Sequence, residues 1–155
     1  MSMRTLLVAA ALLLIAVAYL QPVGSRSKGP FPADPVRTPG VLNPGVTQAN
    51  IATTICKHGW TRTIRPPTDY TNALKAKQMR EYAVGGSPAQ YQEDHLISLE
   101  LGGHPTDARN LWPEPYPRAA EVDSIENDLN AKVCSGSMSL DEAQRKESEL
   151  KHSDG

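Results

Sequence analysis

Behind Arg4 the sequence runs through TLLVAAALLLIAVAYL, 16 residues without a charge, and this run takes a large share of the apolar residues away from any soluble core. It is longer than most signal-peptide cores and shorter than the roughly 18 to 20 residues that span a bilayer comfortably. Both readings send the rest of the chain out of the cytoplasm. Ala16-Val17-Ala18 has the small-x-small pattern of a signal-peptidase site, and no Cys follows to accept a lipid. Residues 1–20 are expected to be a signal peptide, or an N-terminal anchor attached to the membrane through residues 5–20. The protein is then periplasmic or secreted, or anchored with its domain outside the cytoplasm. What remains of the 155 residues allows one small domain.

Two cysteines, Cys56 and Cys134, lie 78 positions apart in the exported part. An even count in an oxidising compartment reads as one disulfide, and closing a loop of that length stabilises by roughly 4 to 5 kcal/mol at most. A redox or metal pair is disfavoured because there is no C-x-x-C spacing. From Gln21 to Pro44, six prolines and three glycines resist helix and strand alike, so residues 21–45 are expected to be a Pro/Gly-rich linker ahead of a domain at 46–152.

Within that domain, Val46, Ala49, Ala52 and Ile55 predict a short helix that Gly59 ends, and Trp60 to Arg65 alternates loosely up to Pro66-Pro67. Tyr70, Ala73, Leu74 and Ala83 mark a second helix. Tyr91 to Leu101 is partly β-compatible. Gly102-Gly103 then reads as the tight turn of a hairpin returning through Asn110-Leu111-Trp112, with Pro113, Pro115 and Pro117 forbidding regular structure beyond it. Val122, Ile125, Leu129 and Val133 predict a helix over about 119–133. Ser139-Leu140-Asp141-Glu142 reads as the capping box of a last one. The expected fold is α+β and mainly helical.

Lys+Arg at 16 against Asp+Glu at 17 excludes a uniformly basic coat, but the charges are unevenly spread. Lys57, Arg62, Arg65, Lys75, Lys77 and Arg80 face Asp69 alone between Cys56 and Arg80, whereas the chain from Glu121 onward is acidic. A local basic face is what a phosphate-backbone binder needs, and a solvated helix surface is the plainer reading of Lys75, Lys77 and Arg80. Beside it, Glu93-Asp94-His95 and Asn110 concentrate polar groups within the hairpin. A hard ion such as Mg²⁺ would take the Asp94 carboxylate and the Asn110 amide oxygen, and His95 would remove a proton from water. Alternation sends Asp94 and His95 to opposite faces of a regular strand, so one shared site calls for a bulge.

The string D-H-L-I-x-L-E-L-G-G followed by N-L-W-P-E-P closely resembles the HNH nucleases, specifically small bacterial HNH proteins of this form. The stretches V-T-Q-A-N-I-A-T-T-I-C-x-x-G-W-T-x-T-x-R-P-P and E-N-D-L-N-A-K-V-C-S-G-S-M-S-L-D-E-A-Q extend the resemblance over about residues 38–149. It implies a ββα-metal hairpin-helix core with flanking helices. It also implies His95 as general base, Asp94 as metal-binding acid, and Asn110 as a metal ligand or as the residue that fixes the loop around the His. The implied reaction is metal-assisted hydrolysis of phosphodiester bonds in DNA and/or RNA.

The family's third motif residue, commonly a His, falls here on Arg118, Ala119 or Ala120, none of them a ligand for Mg²⁺. Among Glu121, Asp123 and Glu126, Glu126 is the replacement ligand proposed. Few imidazoles favour Mg²⁺ or Ca²⁺ over Zn²⁺. Arg62, Arg65 and Arg109 are the expected phosphate contacts. His104, His58 and His152 read as surface residues, and Trp112 as a core plug. With no base-reading module in the sequence, the expected activity is an endonuclease with little sequence preference. The alternative, supported by the missing His, is a catalytically silent exported envelope or partner-binding protein. No protein partner can be inferred.

Overall fold

A computed structural model describes residues 31–154; the leader, its cleavage or anchoring, and residues 21–30 lie outside the described residues. The fold is a mainly helical α+β arrangement: a β-hairpin followed by a long helix, with flanking helices and one disulfide. A 3₁₀ turn at Gln48–Thr53 leads to helices α1 (Trp60–Ile64) and α2 (Thr68–Glu81). Strands β1 (Tyr91–His95) and β2 (Leu111–Pro115) precede helices α3 (Arg118–Cys134) and α4 (Leu140–Ser153). The Cys56–Cys134 bond forms and ties the segment after the 3₁₀ turn to the end of α3.

Two features of the hairpin differ from expectation. The strands pair antiparallel in unbroken register from Tyr91↔Pro115 to His95↔Leu111, so Pro113 and Pro115 lie inside a strand. The bonds flanking the ladder, Leu96 N to Asn110 O (2.8 Å) and Tyr116 N to Gln90 O (2.9 Å), put the bonding groups at even-numbered positions. The nitrogens of Pro113 and Pro115 therefore face away from β1, where no N–H is needed. The second difference is the turn: β1 stops at His95, and residues 96–110 form a folded loop with two short 3₁₀ turns. Gly102 (φ +80°) ends the first of these, and Gly103 passes so close to Ile97 that a Cβ would sit 1.7 Å from the Ile97 carbonyl oxygen. The glycines serve a close backbone approach within this loop, not a two-residue hairpin turn.

Residues 31–45 carry no helix and no strand beyond an isolated bridge from Leu42 to Gly103, yet they are packed against the domain. Ala33 and Thr38 are 1 % exposed, Phe31 stacks on Trp112 with ring centroids 6.0 Å apart, and Ala33 N donates to Lys151 O. The domain thus begins at least as early as Phe31, because this strap supplies apolar cover to Leu96 and Trp112. Trp112, fully buried, is the expected core plug. The larger cluster joins Val46, Ile55, Ile97, Leu101, Leu129, Val133, Leu140 and Ala143. The short helix expected at 46–55 is a 3₁₀ turn, and the segment after Gly59 is helical.

Reducing Cys56–Cys134 frees a long loop in the unfolded chain, so dithiothreitol is expected to cost on the order of 4 kcal/mol of unfolding free energy. Urea denaturation of the folded protein with and without reductant measures it, and coincident curves would contradict the expectation.

Candidate functional site

The hairpin is a two-sided ribbon clasped by helices, and its alternation divides the polar residues. Even positions Gln92, Asp94, Trp112 and Glu114 share one face, whereas Glu93, His95 and Leu111 share the other. No bulge interrupts β1, so Asp94 and His95 leave the strand in opposite directions.

His95, 6 % exposed, ends β1 with Nε2 3.0 Å from the carbonyl oxygen of Pro105. A carbonyl only accepts, so in the neutral ring Nε2 carries the proton and Nδ1 keeps the lone pair. Burial lowers the imidazole pKa, and the Lys151 and Arg65 charges lower it further against the opposing pull of the Pro105 bond and Asp94. The neutral form, the one able to accept a proton, is favoured. A cleft of about 290 Å³ runs past it, lined by Arg65, Pro66, Thr68, Thr71 and the β1 residues 92–95. Arg65 also lines an adjoining cleft of about 330 Å³ with Gln92, Ser98, Glu100, Asp123 and Glu126.

Of the three arginines expected at phosphate, Arg65 is the one brought to His95. It is exposed and forms no ion pair among the described residues. Arg109 is held by Asp107 through a two-pronged pair (Nε–Oδ1 3.0 Å, Nη2–Oδ2 2.7 Å). Arg62 folds back over Gly59, its Nη2 2.8 Å from where a Cβ there would stand, and lines neither cleft.

Asn110 is fully buried and its amide is spent within the loop. Oδ1 accepts from Ile97 N at 3.0 Å, and Nδ2 donates to Ile97 O at 3.0 Å and His104 O at 3.1 Å. Of the two roles expected for Asn110, the loop-fixing one matches these bonds: its amide holds the loop that carries Pro105 to His95. His104, expected at the surface, is half-buried, and its Nδ1 accepts from Thr106 N and Asp107 N. His152 is likewise engaged, with Nε2 2.9 Å from Thr38 O, whereas His58 is exposed as expected.

The acidic face holds an organic cation. Lys151, fully buried on α4, places Nζ 2.7 Å from Asp94 Oδ2, 2.6 Å from Glu126 Oε1 and 2.5 Å from His95 O, with Glu147 Oε1 at 3.6 Å. Three close acceptors use all three ammonium protons. Glu126 faces this buried cluster, while the neighbouring Ile125 is only partly buried. Glu114 shares a face of the ribbon with Asp94, and both of its carboxyl oxygens are buried without a hydrogen-bond partner. Burial raises Glu114, assisted by Asp94, so it keeps its proton. Burial also pushes Asp94 up, but the Lys151 charge and its hydrogen bond outweigh it and bring the pKa down. Burial raises Glu126 well above its ordinary range and Glu147 to about 7, both opposed by Lys151.

The donors expected for Mg²⁺ do not fit such an ion in this arrangement. Asp94 and Glu126 are already engaged by an ammonium, Asn110 is turned into its loop, and no group of three His, Cys, Asp or Glu side chains converges as a metal cage among the described residues. Lys151 and Glu147 are the residues that sequence reasoning missed. Their signal is the stripe Leu140, Ala143, Glu147, Lys151, which is the buried side of α4 with charges where apolar residues would stand. Compared with protein families, with characterised proteins and with solved structures, the chain gives no match.

Replacing Asn110 with Ala leaves one N–H and two carbonyls of the buried loop without their partner, and is expected to cost about 2 to 4 kcal/mol in urea denaturation. Asn110→Asp should not restore the loss, since a carboxylate cannot donate to Ile97 O and His104 O.

The buried acids also fix a pH profile. Burial lifts Glu93 to about 8 and Glu114 to about 9, with Glu147 at about 7, so the folded chain keeps protons that the unfolded chain releases above about pH 4.3. Their contribution to stability is complete below that value and is lost as pH rises through 7 to 9. Asp94 acts oppositely, its contribution being present above about pH 3.9 and lost as pH falls through its lowered folded value. Calorimetric Tm is expected to peak near about pH 4 to 5 and decline toward pH 9. A Tm that rises over that interval would contradict this assignment of protons.

Proposed function

We propose that the chain is an exported phosphodiester hydrolase acting on DNA and/or RNA with little sequence preference, with His95 as general base and Arg65 as the phosphate contact. The observation that carries this reading is His95 in the wall of a cleft shared with Arg65, its Nε2 paired with Pro105 O so that the neutral ring keeps its lone pair on Nδ1. In the reaction, Nδ1 takes a proton from water as its oxygen attacks phosphorus, the bond from phosphorus to the leaving sugar oxygen breaks, that oxygen takes a proton from solvent, and the guanidinium offsets the charge that gathers on the phosphate oxygens. Arg65 stands beside both clefts, so a polynucleotide lying across them would keep one phosphate against it. The Cys56–Cys134 bond supports a location outside the cytoplasm.

A second reading, a catalytically silent exported protein that keeps the hairpin to bind a partner, is favoured by a different observation. The acids of the motif are spent on Lys151, with Asp94 and Glu126 only 7 % and 8 % exposed where they border the two clefts.

Plasmid nicking with Mg²⁺ and EDTA arms separates the two. His95→Ala is expected to slow nicking by about 10²- to 10⁴-fold, and Arg65→Ala to weaken DNA binding while sparing the fold. Unchanged cleavage in His95→Ala would remove the mechanism. A chain that nicks neither DNA nor RNA under any ionic condition would favour the silent reading.

A further inference from the structure

We propose that the Lys151 ammonium is the resident cation of the hairpin–helix junction, standing where a divalent ion would otherwise bridge Asp94 and Glu126, so that the folded protein neither needs nor holds a metal there. The junction is where β1, α3 and α4 meet, and each contributes to the shell: Asp94 Oδ2 and the His95 carbonyl from β1, Glu126 from α3, and Glu147 from α4 itself. Lys151 is fully buried, and Asp94, Glu126 and Glu147 are 7 %, 8 % and 1 % exposed, the first two where they border the clefts. The three nearest oxygens stand 2.5 to 2.7 Å from the nitrogen, one for each ammonium proton and wider than an Mg²⁺ shell. Mg²⁺ would require oxygens at about 2.0 to 2.1 Å, and Ca²⁺ at about 2.3 to 2.6 Å.

Charge balance points the same way. Four carboxyls, Asp94, Glu114, Glu126 and Glu147, face one ammonium, with Arg118 also acting on Glu114. One full positive charge offsets one carboxylate, and protons neutralise the rest. A divalent ion added to this set would have to expel the ammonium, whose charge has no other buried partner to move to. Removing the ammonium has the converse effect, leaving an oxygen-lined void with two carboxylates that match the charge of one divalent ion. Lys151 is therefore a positioning residue that holds β1 from behind, with the His95 carbonyl in its grasp and the imidazole on the opposite side of the strand.

The test uses the full mature chain, with Ca²⁺ and Mn²⁺ as probes. For the wild type, Tm is expected to be unmoved by either ion or by EDTA, and Mn²⁺ electron paramagnetic resonance should show no saturable site. Lys151→Met is expected to gain an ion response that loss of an ordinary buried ion pair would not create. The expected gain is a Tm that rises with Ca²⁺ and Mn²⁺ binding tighter by at least about tenfold, weakened again by adding Glu126→Gln. A Lys151→Met chain that folds only when Ca²⁺ is present would support the inference equally.

Stoichiometric Mn²⁺ binding by the wild type that Asp94→Asn abolishes would overturn it, whether or not the Lys151 variant folds. Nicking that EDTA stops and Mg²⁺ restores would overturn it as well. Nicking that ignores EDTA would support it. Absence of nicking would count against the hydrolase reading alone and leave the Mn²⁺ result to decide this one.

Discussion

A buried ammonium held by carboxylates from two other elements is the interaction around which the domain is arranged. Lys151 Nζ reaches 57 residues back to Asp94 and 25 back to Glu126, so it joins the last helix to the first strand and to the helix between them. The Lys151 backbone carbonyl accepts from Ala33 N, so the same residue also secures the N-terminal strap. Taking such charges out of water is costly, and their attraction offsets that cost only when every proton and lone pair is well placed. The pair is thus weak as a source of net stability but strong as a constraint. A packing of α4 that strands the ammonium without its acids carries a penalty of several kcal/mol, which rejects neighbouring registers of that helix.

That constraint also explains why the two faces of the ribbon are chemically different. On one, acids are buried and protonated or paired, with Asp94 and Glu126 at the margins of the clefts. On the other, His95 is neutral beside an exposed, unpaired arginine, in a cleft open to solutes. The faces communicate through β1, since the Lys151 charge lies behind the strand and disfavours a second positive charge on the imidazole. Asn110 completes the arrangement from within the loop. By bonding Ile97 and His104 it holds the chain so that the Pro105 carbonyl meets Nε2, which decides which ring nitrogen is free.

Most of the helices and the disulfide were legible because they rest on local signals: apolar residues at helical spacing, prolines and glycines at the ends, an even cysteine count. The ribbon was legible only in outline. Pro113 and Pro115 read as breakers because the sequence does not say that β2 has a free edge for their nitrogens. Gly102-Gly103 read as a turn because the approach of Gly103 to Ile97 depends on how residues 96–110 fold. The strap at 31–45 read as a linker because proline density forbids regular structure without forbidding packing, and Phe31 and Ala33 find their partners only in three dimensions. His95 and Arg65 were singled out from sequence and stand on one cleft. Lys151 escaped notice because a lysine on an amphipathic helix ordinarily faces water, and its acids are remote in the chain.

The acid at Glu126 and the buried lysine are two halves of one junction. Helix α3 turns Val122, Glu126 and Leu129 inward, and Glu126 approaches the same ammonium as Asp94. A neutral imidazole in that place would leave a metal ion's charge to be balanced by Asp94 and water. A carboxylate instead brings a second acid to Asp94 and makes some cation or proton obligatory. Helix α4 supplies the cation in covalent form and adds Glu147 one turn earlier, whose second oxygen remains without a donor while its first accepts from Ser98 N. That extra acid adds to a junction already acidic beyond what one ammonium can balance, and the excess is held as protons. A site so built answers to pH through its own side chains, whereas a site built around a metal would answer to the supply of the ion.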